Sequence, residues 1–167
     1  PFTHWRRSSS SPRKPEFPPD NPRFPATPTV RIAVPGFSQV WLKDESVNPT
    51  GTHKDRMAWE IVVTYRDFLL AKKEGRIKKL PPLSLLSSGS AAIAIQTMLK
   101  KYALPHLRVL MDTHTELDVI SNLEKIGCVV FCENLGKRLL NWEDILRLTE
   151  TPDCFDITSN EAFDPTI

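Results

Sequence analysis

Leu83-Ser84-Leu85-Leu86-Ser87-Ser88-Gly89-Ser90-Ala91 holds a strand, a turn and the opening of a helix in one short stretch. Its apolar run stops at Ser-Ser-Gly-Ser, and from Ala91 to Tyr102 the apolar period becomes helical. The alternation continues downstream. Leu107 to Met111 reads as strand, Thr115 to Ile126 as helix, Val129 to Cys132 as strand, Trp142 to Thr149 as helix and Cys154 to Ile157 as a last strand. Thr113 and Glu116 have capping-box spacing before the second of these helices, Gly127 stops it, and Asn141 is a candidate cap for the third. Alternating helices and mostly apolar strands predict an α/β fold of three layers, a mainly parallel sheet flanked by helices with right-handed crossovers. No internal repeat is present.

Upstream, Lys54 to Lys73 has helical period, with Met57, Ala58, Ile61, Val62, Tyr65, Phe68 and Leu69 on one face, and Gly75 ends it. Before it, Thr29–Val34 and Gln39–Glu45 read as strands joined through Pro35-Gly36, a hairpin, and Asn48-Pro49-Thr50-Gly51 breaks the pattern. Residues 1–28 differ. They are rich in proline, serine and arginine, and read as an extended or disordered leader ahead of a unit at 29–167, within which residues 83–157 form a small domain.

Net charge is +2 from 22 basic and 20 acidic side chains, which gives no electrostatic case for nucleic acid or an anionic membrane. No stretch approaches the roughly 20 apolar residues of a membrane helix, and the first residues lack the apolar core of a signal peptide. Cys128, Cys132 and Cys154 are odd in number and form no CxxC pair. They fit neither a disulfide framework nor a structural metal site, and point to a reducing, cytoplasmic setting. Cys128 and Cys132 fall in or beside an apolar run and are expected to be buried, inert thiols.

In parallel sheets ligands gather at the carboxyl ends of strands, where helices begin. Two places meet that rule. Lys54 opens a helix just after Thr50-Gly51-Thr52, where the helix dipole and partial burial disfavour a charged amine; a neutral lysine can attack an aldehyde. Ser87-Ser88-Gly89-Ser90 offers hydroxyls, a glycine that lets the backbone approach a ligand, and a helix N-terminus suited to a carboxylate or phosphate. It lacks the Walker lysine and the dinucleotide glycine spacing. Taken alone, each place has a plain structural explanation, an exposed lysine at a helix start and a capping turn. An amine for an aldehyde cofactor and a cradle for a substrate carboxylate are the two things an imine-forming amino-acid enzyme needs.

Lys43-Asp44-Glu45-Ser46-Val47-Asn48-Pro49-Thr50-Gly51-Thr52-His53-Lys54-Asp55-Arg56 closely resembles the cofactor-lysine segment of fold-type II pyridoxal 5'-phosphate (PLP) enzymes, the group of threonine synthase, cysteine synthase and the tryptophan synthase β chain. The match is best to threonine synthase-like and cysteine synthase-like members, and Thr27-Pro28 resembles a motif the family carries upstream. The resemblance covers residues 27 to 167. It implies that Lys54 forms the Schiff base with PLP and that Ser87, Ser88, Gly89 and Ser90 bind the substrate carboxylate. Ser90 stands where the family has an asparagine that contacts the cofactor's ring hydroxyl; a serine can still hydrogen-bond but is shorter. His53 stands where an aromatic residue is usual and is similar to the histidine of tryptophan synthase β, near the cofactor phosphate. The family's second domain supplies a glycine-rich phosphate loop. None is found in this chain, and Glu161 to Ile167 reads as the lead-in to that domain, cut short.

The resemblance implies an enzyme, a lyase or transferase acting on a small amino acid by β-elimination or β/γ-replacement, homodimeric at full length. This chain alone is expected to hold PLP weakly and to be inactive. Two alternatives stay open: a non-catalytic PLP-fold domain or partner subunit, and a tryptophan synthase β-like enzyme.

Overall fold

The computed structural model describes residues 18, 23–137, 139–151 and 155–158. The expected lead-in at 161–167, Cys154 and most of the leader lie outside them.

Two sheets are present. The first is an antiparallel hairpin of β1 (Thr29–Ile32) and β2 (Val40–Lys43), with Val30 opposite Leu42 and Arg31 opposite Trp41. The second is a four-stranded parallel sheet of β3 (Leu83–Leu86), β4 (Arg108–Asp112), β5 (Val129–Glu133) and β6 (Phe155–Asp156), in the order β5-β4-β3-β6. Its helices are α1 (Lys54–Lys73), α2 (Ser90–Lys101), α3 (Leu117–Ile126) and α4 (Trp142–Leu148). The α/β architecture read from the sequence is therefore present: a parallel sheet flanked by helices.

The core follows from the apolar periods. Ala58, Ile61, Val62 and Tyr65 of α1 are buried, together with Ala92, Ile95 and Leu99 of α2 and Leu83, Leu85, Val109 and Met111 of the sheet. Burying such side chains stabilises the fold by roughly 1.5–3 kcal/mol each before chain entropy is counted. Two buried carboxylate oxygens, Asp55 Oδ1 and Asp156 Oδ2, have no partner among the described residues, and the other polar side chains of the core are bonded. Gln96, buried on α2, accepts from Leu107 N at 2.8 Å, and Ser84, Thr149 and Thr151 form a buried triangle of hydroxyls at 2.6–2.9 Å.

Both ends of α1 fall where the sequence puts them. Gly75 adopts φ +76°, and the amides of Gly75 and Arg76 donate to Lys72 O and Ala71 O. Asn141 caps α4 as expected: its side chain accepts from Asp144 N at 2.8 Å, and Asp144 returns the bond in a capping box.

Three expectations need correction. Thr113 and Glu116 form no capping box. Thr113 N donates instead to Glu133 O at 3.1 Å, prolonging the β4–β5 pairing, and α3 starts only at Leu117, with no side-chain cap at Glu116. Cys132 is exposed rather than buried, because β5 is an edge strand and half its side chains face outward; Cys128 is buried as expected, and burial pushes its thiol up to about 12. Finally, the described end of the supposed leader is held against the fold. Phe24 meets Trp59 edge-on at 5.9 Å, and Thr27 is buried.

Candidate active site

Lys54 is the first residue of α1 and is half-buried; the exposed His53 precedes it as N-cap without a side-chain hydrogen bond. Thr52 Oγ1 accepts from Lys54 N at 3.1 Å. Among the described residues Lys54 Nζ has no ion-pair or hydrogen-bond partner, although an acid follows it directly. The turn before it is shaped by Gly51 at φ +75°, a conformation that suits glycine.

That turn is fastened to the residues just after the lysine. Arg56 grips Glu45 with both arms of its guanidinium, Nε to Oε2 and Nη2 to Oε1, each at 2.8 Å, and Nη2 also reaches Thr27 Oγ1 at 2.9 Å. Thr27 and Asn48 donate to the same carboxylate at 2.7 Å each, and Asn48 also bonds Thr52 O at 2.9 Å. Asp55, wholly buried, accepts from Thr50 N at 3.0 Å and from Thr50 Oγ1 at 2.7 Å through Oδ2, while its Oδ1 has no partner. Phe24 lies 5.0 Å from the Arg56 guanidinium and covers it. The Arg56 fork, then the hydroxyl of Thr27, hold Glu45 at about 2, well below the usual carboxylate range, and Glu45 raises Arg56 in return.

Ser87-Ser88-Gly89-Ser90 leaves the carboxyl end of β3. Ser87 N donates to Leu110 O of β4 at 3.2 Å, and Ser87 Oγ accepts from Gly89 N at 3.1 Å. Gly89 is buried at φ +135°, a region L side chains rarely adopt, and a Cβ there would stand 3.4 Å from Val119 Cγ1. Ser88 and Ser90 are exposed, Ser87 is half-buried, and no side chain caps α2 at Gly89. The first amides of α2 and two hydroxyls thus face outward at a helix N-terminus, a donor set that fits a carboxylate.

The course of the chain relates the two places. β3 and β4 are parallel, so α2 must run back from the carboxyl edge of the sheet to its amino edge. α1 packs along α2. The Tyr65 hydroxyl donates to Pro81 O ahead of β3, and Phe68 lies 5.5 Å from Phe155, the residue opposite Leu83. The later half of α1 therefore sits at the amino edge. Lys54 precedes Tyr65 by about 16 Å of helix, against roughly 13 Å for the length of β3. No hydrogen bond joins Lys54 or His53 to residues 87–90 among the described residues.

Beyond the expected residues, the carboxyl end of β4 carries Asp112. Its Oδ1 accepts from His114 N and Nδ1 at 2.8 and 2.6 Å and its Oδ2 from Leu135 N at 2.9 Å, and the His114 amide leads in holding its pKa down. Within the described residues no helix is long and apolar enough to cross a membrane, and no group of His, Cys, Asp and Glu could hold a metal ion.

Comparison with known proteins places the chain in a family. The profile of the family described as pyridoxal-phosphate dependent enzyme matches residues 23–160, so the chain belongs to that family. Solved structures similar to it include O-ureido-L-serine synthase (24% identity, TM-score 0.51, 67% of this chain and 34% of that one). A hydrogen sulfide-producing enzyme, Fn1220, of Fusobacterium nucleatum is 25% identical at TM-score 0.51 over 66% of this chain and 35% of its own. The O-acetylserine dependent cystathionine beta-synthase of Helicobacter pylori is 15% identical at TM-score 0.53 over 79% and 43%. The chain thus spans between about a third and two fifths of those structures. No curated protein sequence matches it.

The donor set fits the family's cofactor in part. Lys54 offers an unpaired, half-buried amine for its aldehyde. The phosphate would need several converging donors, and His53 and the amides opening α1 are what this chain brings near that lysine.

Proposed function

We propose that Lys54 carries PLP and that Ser87, Ser88, Gly89 and Ser90 hold the carboxylate of an amino-acid substrate, in an enzyme that performs β-elimination or β/γ-replacement. One observation carries this reading: an unpaired amine opens α1, and an uncapped Ser-Ser-Gly-Ser turn opens α2, in two helices whose other ends lie toward the amino edge of one parallel sheet. The Lys54 amine would hold the cofactor through its aldehyde. When bound, PLP supplies the electron sink that such reactions require. The α2 amides and the Ser88 and Ser90 hydroxyls orient the substrate by its carboxylate. Lys54 Nζ, when free, would be the base that takes the proton from the substrate Cα. His53 flanks the lysine where the cofactor phosphate would lie, and Ser90 answers the ring hydroxyl. The substrate is a small amino acid with a leaving group at its β or γ carbon, and the intact enzyme is a cytoplasmic homodimer.

The test is chemical. PLP added to the intact protein, fixed with borohydride and mapped by peptide mass, should mark Lys54. A mark at Lys43 or Lys73 in its place overturns the assignment.

A second reading, a non-catalytic domain or partner subunit, draws on Ser90. It is exposed, and its side chain is shorter than the asparagine of the resembling family. Under that reading cofactor is fixed at Lys54 but no amino acid alters its absorption.

A further inference from the structure

Lys54 lies inside a closed ring of contacts. Before it in the chain come Glu45 and Thr50, and after it Asp55 reaches back to Thr50 and Arg56 to Glu45, with Asn48 bonded to Glu45 in between. We propose that Arg56 and Glu45 are positioning residues for Lys54, fixing the direction in which its amine leaves the head of α1 and keeping the nearby acid out of reach of that amine. The inference rests on Lys54 being the cofactor lysine and adds to it what holds that lysine in place.

Three features support a positioning role over a bland surface pair. The first is geometry: a bidentate fork fixes both distance and angle, whereas a single contact leaves rotation free. The second is saturation. Both oxygens of Glu45 are engaged, by Thr27, Asn48 and two nitrogens of Arg56, and the Oδ2 of Asp55 is engaged twice by Thr50. A Glu45 carboxylate so occupied does not compete for a neighbouring ammonium, Asp55 keeps only its buried Oδ1 without a partner, and Lys54 Nζ is unpaired among the described residues. The third is reach. Asn48 passes the hold from Glu45 to Thr52 O, and Thr52 Oγ1 accepts from Lys54 N, so a continuous chain of bonds runs from Arg56 to the lysine's own backbone. Phe24 and Thr27 close the outer side, which brings the segment ahead of β1 into the same device.

The test uses the intact protein and the variants R56K and E45Q. R56K keeps the charge and loses the fork; E45Q keeps the shape and loses the charge. Each is measured for thermal unfolding, for hydrogen exchange of the amides of 50–54, and for the yield of borohydride-fixed PLP at Lys54 under limiting cofactor, with exposed Lys72 as internal control. Expected are folded variants, faster exchange at 50–54, and a yield at Lys54 lower by about tenfold, the worth of one charge-assisted hydrogen bond, with Lys72 unchanged. A merely stabilising role would lower the unfolding midpoint and leave both the yield per folded molecule and the exchange at wild-type level, and that result overturns the proposal. Should R56K fail to fold, E45Q decides by the same readouts. If the wild-type protein is marked elsewhere than Lys54, the cofactor assignment fails, and positioning of the lysine is then judged on exchange at 50–54 alone.

Discussion

Gly89→Ala separates loop geometry from fold stability at the candidate carboxylate cradle. Gly89 holds φ +135° and ψ −61°, and its Cα faces Val119 Cγ1 with room for a methyl at 3.4 Å. Space is therefore tight but not forbidden, and backbone strain dominates. Holding an L residue in so sparsely populated a region costs about 1–3 kcal/mol. The turn can escape that strain by rotating locally, because it lies past the last paired residue of β3 and Gly89 is tied only by its O to Ile93 N and its N to Ser87 Oγ among the described bonds. If it rotates, the amides at the head of α2 swing away and the population of the carboxylate-binding conformation falls by roughly 5- to 150-fold, the strain converted at a factor of ten per 1.4 kcal/mol. The assay is titration of the PLP-loaded intact protein with a panel of small amino acids, followed by visible absorption, beside thermal unfolding and borohydride fixation at Lys54. The half-saturating amino-acid concentration should rise by that factor while fixation at Lys54 stays near the wild-type level. A variant that binds amino acids as the parent does would refute the role given to the turn. A variant that loses fixation at Lys54 as well would show that the damage is to the fold.

Three further outcomes are expected. Tyr65→Phe removes the hydroxyl that reaches Pro81 O and should lower stability by about 1 kcal/mol, an unfolding midpoint lower by roughly 2–4 °C; an unchanged midpoint would mean that bond contributes nothing net. Iodoacetamide at pH 8 should label exposed Cys132 within minutes and spare Cys128, whose buried thiol is pushed up to about 12, and peptide mass spectra would expose the reverse order. Glu45 is lowered to about 2, so its contribution is present above the unfolded carboxylate value near 4.5 and is lost as pH falls through 2; the stability gap between wild type and Glu45→Gln should be constant from pH 7 to 5 and close below pH 4, and a gap that widens in acid would contradict the Arg56 pairing.

What was legible in the sequence is what depends on neighbours along the chain. The limits of α1 were readable because both ends carry local signals, a Thr-Gly-Thr turn before Lys54 and a glycine at φ +76° after Glu74. The cap at Asn141 was readable for the same reason. Thr113 misled because its spacing to Glu116 satisfies a helix rule while the edge of β5 claims its amide first, a partner supplied by a strand that comes later in the chain. Cys132 misled because it ends an apolar run, and apolar neighbours along the chain do not say that the strand lies at the sheet's edge. Phe24 was hidden by the composition of the segment around it, which is that of a solvated tail, and Thr27 stood out only through the resemblance of Thr27-Pro28 to a family motif.

The candidate site divides along the same line. A lysine at a helix start and a Ser-Gly turn at a strand end are strings that a reader can find, and each alone has an ordinary structural explanation. What distinguishes Lys54 is relational: Glu45 has both oxygens engaged by other partners, Asp55 is held through Oδ2 by Thr50, and the amine is left unpaired among the described residues. The pairing of Glu45 with Arg56 spans β2's end, a turn and the first turn of α1, and Thr27 joins from before the hairpin. No periodicity encodes such a closure, because the partners belong to three different elements. The hint in the sequence was that glutamate and arginine both lie in one short segment around the lysine. In the structure that proximity becomes contact: the Arg56 fork on Glu45 joins the Thr50–Asp55 bonds in tying the turn before Lys54 to the helix that follows it.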